Sequence, residues 1–140
     1  MKLKKSTFIL LLLCLCFNGI AQKPAATGIV YVIRPMNYTG SIIAYNIYAD
    51  DQLVCKLKNQ RYSVHTLPVG NHTFSIKNTG LGNHSMSKPI PITVKADQAV
   101  YLDVVDEGQL NLKELTAPSG IESLKSVAEM KNCLPKQKTK

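Results

Sequence analysis

The chain has no tryptophan, three phenylalanines and three histidines in 140 residues. Without an indole there is no obvious stacking platform for a sugar ring. The six tyrosines (Tyr31, Tyr38, Tyr45, Tyr48, Tyr62, Tyr101) mostly fall in strand-like stretches, where cross-strand packing accounts for them. Acidic residues are also few, nine in all, and none lies between Asp51 and Asp97. No serine sits in a Gly-x-Ser-x-Gly turn, and "TGLGNHS" is a loop with glycines rather than a phosphate cradle. Cys55 sits in mid-strand, with poor access for a nucleophile. No pair of carboxylates is singled out for glycoside hydrolysis, since "DD" (Asp50, Asp51) and "DE" (Asp106, Glu107) read as turn residues. The chain therefore reads as non-catalytic, with no cofactor expected.

Long apolar runs are missing as well. The longest, "FILLLLCLCF" (Phe8 to Phe17), has ten residues and is too short for a stable bilayer-spanning helix. It follows Lys2, Lys4 and Lys5 and precedes "NGIAQ", with Gly19 and Ala21 at the small-residue positions. That is the layout of an export signal, residues 1 to 21, cleaved before Gln22. Retention as an anchor is the alternative. A lipidation reading fails because Cys14 and Cys16 each follow leucine rather than a small residue. The protein is expected to be exported, periplasmic or envelope-associated.

Removing the signal leaves 14 basic and 9 acidic residues, and four of the positive charges fall in the last ten positions (Lys131, Lys136, Lys138, Lys140). A nucleic-acid binder needs a basic face to displace counterions from phosphates, and here the charge is mainly a tail. Nucleic acid is not expected as a partner, and a membrane only peripherally. An envelope protein or surface is the expected partner of a monomeric chain.

About 119 residues remain, enough for one domain with one core. They include Cys55 and Cys133. These can form one disulfide in an oxidising compartment, closing a loop worth on the order of 4 kcal/mol. Cys55 in "QLVCKL" can equally be a small apolar core residue.

Turn chemistry punctuates the rest. "GIVYVIRP" (Gly28 to Pro35) is apolar on both faces and stopped by Pro35. "SIIAYNIYA" turns at Asp50 and Asp51 into "QLVCKLK", where Leu53, Cys55 and Leu57 alternate with Val54, Lys56 and Lys58. "RYSVHTL", "HTFSIK", "IPITVK", "AVYLDVV" and "QLNLKEL" follow, separated by "LPVGN", the polar loop "NTGLGNHSMSKP", "ADQ" and "EG". Seven to eight strands at this spacing predict an all-β domain, an antiparallel sandwich or small barrel, over residues 22 to 116. Residues 117 to 133 predict one short C-terminal α-helix packed on it. Ser119 and Glu122 would form its capping box, Ile121, Leu124, Val127 and Ala128 its apolar face, and Pro135 its stop. Residues 134 to 140 form a basic tail.

The stretch "HTLPVGNHTF" raises the one question of chemistry. If residues 68 to 70 are a hairpin tip, His65 and His72 could approach each other across two strands. Zinc would then need further ligands, from His84 or from Asp97, Asp103 or Asp106. The alternative is one histidine packed beside the turn and one facing solvent, with no metal bound. Two loops, "MNYTG" (Met36 to Gly40) and "NTGLGNHSMSKP" (Asn78 to Pro89), are the better places for contacting a partner.

The succession "GIVYVIRP", "IYADDQLVCKLKNQRYSVHTLPVGNHTF" and "PITVKADQAVYLDV" resembles a bacterial family known as domain of unknown function 2846. Arg34, Tyr62, Leu67, Pro68, Gly70, His72, Phe74 and Tyr101 occupy the family's marked positions, five of them in its Leu-Pro-x-Gly-x-His-x-Phe hairpin. The first turn, "ADDQ", lacks the expected glycine. The hairpin is also similar to that of PEGA-type modules. The resemblance implies an exported Ig-like or PEGA-like β-sandwich, often tied to the cell envelope, in which His72 is part of a structural signature. It implies no activity.

Overall fold

The computed structural model describes residues 25–37, 41–80 and 85–134. The expected export signal, Tyr38, His84, Pro135 and nearly all of the basic tail lie outside the described residues. Nine strands and one helix follow in order: β1 (Thr27–Arg34), β2 (Tyr45–Ala49), β3 (Gln52–Leu57), β4 (Arg61–Pro68), β5 (Gly70–Asn78), β6 (Ile90–Val94), β7 (Ala99–Asp106), β8 (Leu110–Leu115), α1 (Ala117–Leu124) and β9 (Ala128–Glu129). The ninth strand exceeds the expected count and is only two residues long.

The strands form a five-stranded sheet, ordered β8-β7-β1-β4-β9, and a four-stranded sheet, ordered β3-β2-β5-β6. Alternation sets which side chains each sheet turns inward. Val30, Val32, Leu102, Val104 and Leu112 from the first sheet meet Ile47, Leu57, Phe74, Ile76, Ile92 and Val94 from the second in one buried core. Burying an aliphatic side chain of this kind is worth roughly 1.5–3 kcal/mol, so this layer dominates stability.

Two expectations about pairing are corrected. The sheets are not purely antiparallel, because β1 runs parallel to β7 and β4 parallel to β9. Parallel neighbours need a long crossover. Between β1 and β7 that crossover is the whole four-stranded sheet together with β4. The Leu-Pro-x-Gly-x-His-x-Phe segment is not a hairpin either. β4 pairs with β1 and β9, and β5 with β2 and β6, so Val69 is the corner where the chain changes sheets. Gly70, at φ 146°, supplies the positive-φ backbone this corner requires. A tight hairpin does join β2 to β3, through Asp50 and Asp51 at φ 47° and 63°. Aspartate tolerates this conformation better than most residues, which explains how the turn forms without glycine.

The C-terminal segment also differs from expectation. The helix takes Thr116 as its N-cap rather than Ser119, with a proline in the first turn. Ser119 lies inside the helix and no side-chain cap bond forms, so the Ser119–Glu122 capping box is absent. The helix ends at Leu124 rather than near residue 133, which leaves Val127 and Ala128 beyond it. Tighter bonds, Lys125 N–H to Glu122 O and Ser126 N–H to Ser123 O, turn the chain away. The reason is topological. β8 and β9 are opposite edges of one sheet, so residues 116–127 must cross its outer face. The contact is made by Gly120, which lies so close to the Tyr101 ring that a Cβ there would clash. Ile121, expected on the buried face, is 52% exposed.

Beyond the helix, Met130 N–H donates to Tyr62 O at 2.8 Å and Lys56 N–H to Cys133 O at 2.8 Å. The segment thus ties an edge of each sheet together. A Cys55–Cys133 disulfide, spanning 78 residues of sequence, completes the tie. Both readings of Cys55 hold at once, since it is bonded and fully buried in the core. No helix among the described residues is long and apolar enough to cross a membrane.

Candidate functional site

The two described histidines belong to different sheets. His65, on β4, turns inward opposite Val30, and its Nε2 lies 2.9 Å from the Ser63 hydroxyl. Its ring is 6.1 Å from that of Phe74. Burial pushes its pKa down from 6.5 to about 4, so the imidazole is neutral at neutral pH. Ser63 is wholly buried, so this serine–histidine contact cannot meet a substrate.

His72, on β5, works as a brace. Its Nδ1 lies 2.7 Å from Asp50 Oδ2 and its Nε2 2.9 Å from the Pro68 carbonyl oxygen. Both partners are acceptors, so both ring nitrogens donate and the imidazolium is favoured. The hydrogen bond to Asp50 raises the His72 pKa, and the same bond lowers that of Asp50. Asp50 Oδ1 also accepts Thr73 N–H at 2.9 Å. The β2–β3 turn, the sheet-changing corner and β5 are joined through this one pair. No lone pair of His72 is left for a metal in this arrangement.

The carboxylates considered as further ligands are scattered. Asp97 is in the β6–β7 turn, Asp103 of β7 stands opposite Lys113 of β8, and Asp106 accepts the Tyr45 hydroxyl at 3.3 Å. Burial raises the Asp103 pKa. Among the described residues, no three of His, Cys, Asp and Glu come together in a group able to hold a metal.

A different cluster forms at the opposite end of the molecule from the His72 brace. Arg34, at the end of β1, is 1% exposed, with its guanidinium 3.7 Å above the Tyr45 ring. Its Nη1 donates to the carbonyls of Ile43 at 2.6 Å and Leu57 at 3.0 Å. Burial lowers the Arg34 pKa and raises that of Tyr45. A cavity of about 110 Å³ lies beside them, with Met36, Asn37 and Asp106 in its wall. The arrangement fixes the chain around Ile43 and Leu57 to the end of β1. In the sequence, Asp106 reads as a turn residue and Arg34 stands out only through resemblance. The signal available for it is an arginine closing a strand apolar on both faces.

Arg34 anchors a set of loops. Asn37 N–H donates to Asn59 Oδ1 at 3.0 Å, and Asn59 Nδ2 returns a bond to Asn37 O at 2.9 Å. Thr79 Oγ1 donates to Ala44 O at 2.6 Å, and Gly80 packs against Ile43. Ser87 N–H donates to Ile76 O at 2.8 Å, while Ile76 N–H donates to Ser87 Oγ at 3.0 Å. The described parts of the two loops singled out in the sequence, residues 36–37 and residues 78–80 and 85–89, are therefore at the same end. They carry exposed apolar side chains: Met36 at 56%, Ile42, beside the first loop, at 98%, and Met86 at 44%.

Comparison with family models, with curated proteins and with solved structures finds no match.

Proposed function

We propose that the chain is an exported, non-catalytic Ig-like or PEGA-like β-sandwich, associated with the cell envelope, that contacts its partner through the loop end above Arg34. The observation that carries this reading is the exposure of Met36, Ile42 and Met86 on loops braced to the sheets at a single end. Exposed apolar side chains gathered at one end of a domain favour contact, because their burial on binding removes apolar surface from water. The histidines support the same reading, since the bonds of His65 and His72 are internal ones.

Site-specific photo-crosslinking in the native cell tests it. A crosslinker at Ile42 or Met86 is expected to give discrete adducts, and one at Ile121 on the helix is not. Adducts from Ile121 alone, or none from any of the three, would overturn the assignment of the contact end.

A further inference from the structure

We infer that residues 128–134 form a strap latched by the Cys55–Cys133 disulfide, which a dithiol reductant releases while both sheets stay folded. The strap crosses from the edge of one sheet to the edge of the other. Ala128 and Glu129 pair with Arg61 and Tyr62 of β4, Met130 N–H donates to Tyr62 O, and Cys133 O accepts Lys56 N–H from β3. It therefore closes one side of the sandwich.

Little else holds it there. Of its seven residues, only Met130 and Cys133 are half-buried, packed at the rim of the core, and the other five are exposed. Ordering seven residues costs more than a short ladder and two half-buried side chains give back, so the covalent bond keeps the strap down. The two cysteines are unlike. Cys55 is fully buried on β3 opposite Ile47, where a neutral thiol remains a small apolar core residue. Every strand pair except β4–β9 lies outside the strap, and the helix before it is held separately by Gly120 against Tyr101.

Release runs by thiol–disulfide exchange. One thiolate of the dithiol attacks Sγ of Cys133, forming a mixed disulfide and expelling Cys55 as a thiolate that takes up a proton. The second thiolate closes the dithiol into its own disulfide and expels Cys133, which is protonated in turn. Two electrons and two protons thus pass from the dithiol to the chain. Freed, the strap uncovers the backbone edges at Tyr62 and Lys56 and the rim of the core beneath Met130.

Hydrogen exchange read by mass spectrometry, on the native chain with and without excess dithiothreitol, tests this. The amides of Lys56 and of Ala128 to Cys133 are expected to exchange at least about tenfold faster after reduction, with those of β1 and β7 unchanged. Iodoacetamide should then label Cys133 at least about tenfold faster than Cys55. Cys133→Ala, which cannot form the latch, should show the reduced pattern without any reductant. Strap amides that stay protected after reduction overturn the inference, as does loss of protection in β1 or β7 alongside them. Equal labelling of the two cysteines, or a disulfide that excess dithiothreitol leaves intact in the native chain, overturns it too.

Discussion

His65 makes the fold sensitive to acid in a way that can be measured. Its folded pKa of about 4 lies below the ordinary 6.5, so the unfolded chain takes up a proton first as pH falls. Stability is therefore retained above the ordinary value and lost as pH falls from there through the folded one. Linkage gives a loss of about 2 kcal/mol between neutral pH and about pH 5, and on the order of 3 kcal/mol by about pH 4. Replacing His65 alone would strand the Ser63 hydroxyl in the core, so the useful variant is Ser63→Ala with His65→Leu. Urea unfolding of both proteins, followed by circular dichroism from neutral pH down to the folded pKa, isolates the histidine. The wild type is expected to lose that much more stability than the double variant, a relative midpoint shift of roughly 1 M or more. Parallel pH profiles would refute the buried, neutral assignment of His65.

His72 and Asp50 titrate in the opposite sense to each other. The raised His72 pKa gives stability that is lost as pH rises through it, and the lowered Asp50 pKa gives stability lost as pH falls through it. A double-mutant cycle with His72→Gln and Asp50→Asn should show coupling of about 0.5–1 kcal/mol near about pH 5.5 that fades at high pH; a pH-independent coupling would contradict the ion pair. Changing Cys55 and Cys133 both to alanine should cost on the order of 4 kcal/mol, read by urea unfolding, and the native chain should weigh two protons less than its reduced form. Gly120→Ala should destabilise by about 1–3 kcal/mol through its clash with Tyr101, while Ile121→Ala should be nearly neutral in thermal unfolding. The reverse order would restore the helix face expected from periodicity.

Local patterns were legible because a strand's alternation and a turn's residues act over a few positions. "QLVCKL", "HTFSIK" and "IPITV" became strands with Cys55, Phe74 and Ile92 inward. Asp50 and Asp51 became a turn. The helix was legible in existence but not in length, because its end is imposed by the crossing from β8 to β9. The same limit hid the Arg34 cluster, whose partners Tyr45, Leu57 and Asp106 come from three other strands.

By itself, then, the sequence determined a mostly β chain with a short C-terminal helix, its strand-forming segments and, where apolar and polar residues alternate, as in "QLVCKL" and "HTFSIK", their inward faces. The tertiary structure alone decided that β4 and β5 part at Val69 into separate sheets, and that β1 lies beside β7. It also decided that Cys55 meets Cys133 and that His72 braces Asp50 rather than approaching His65. A corner and a hairpin share the same proline and glycine chemistry. Which one forms depends on the partners waiting on either side, and those lie far away in the chain.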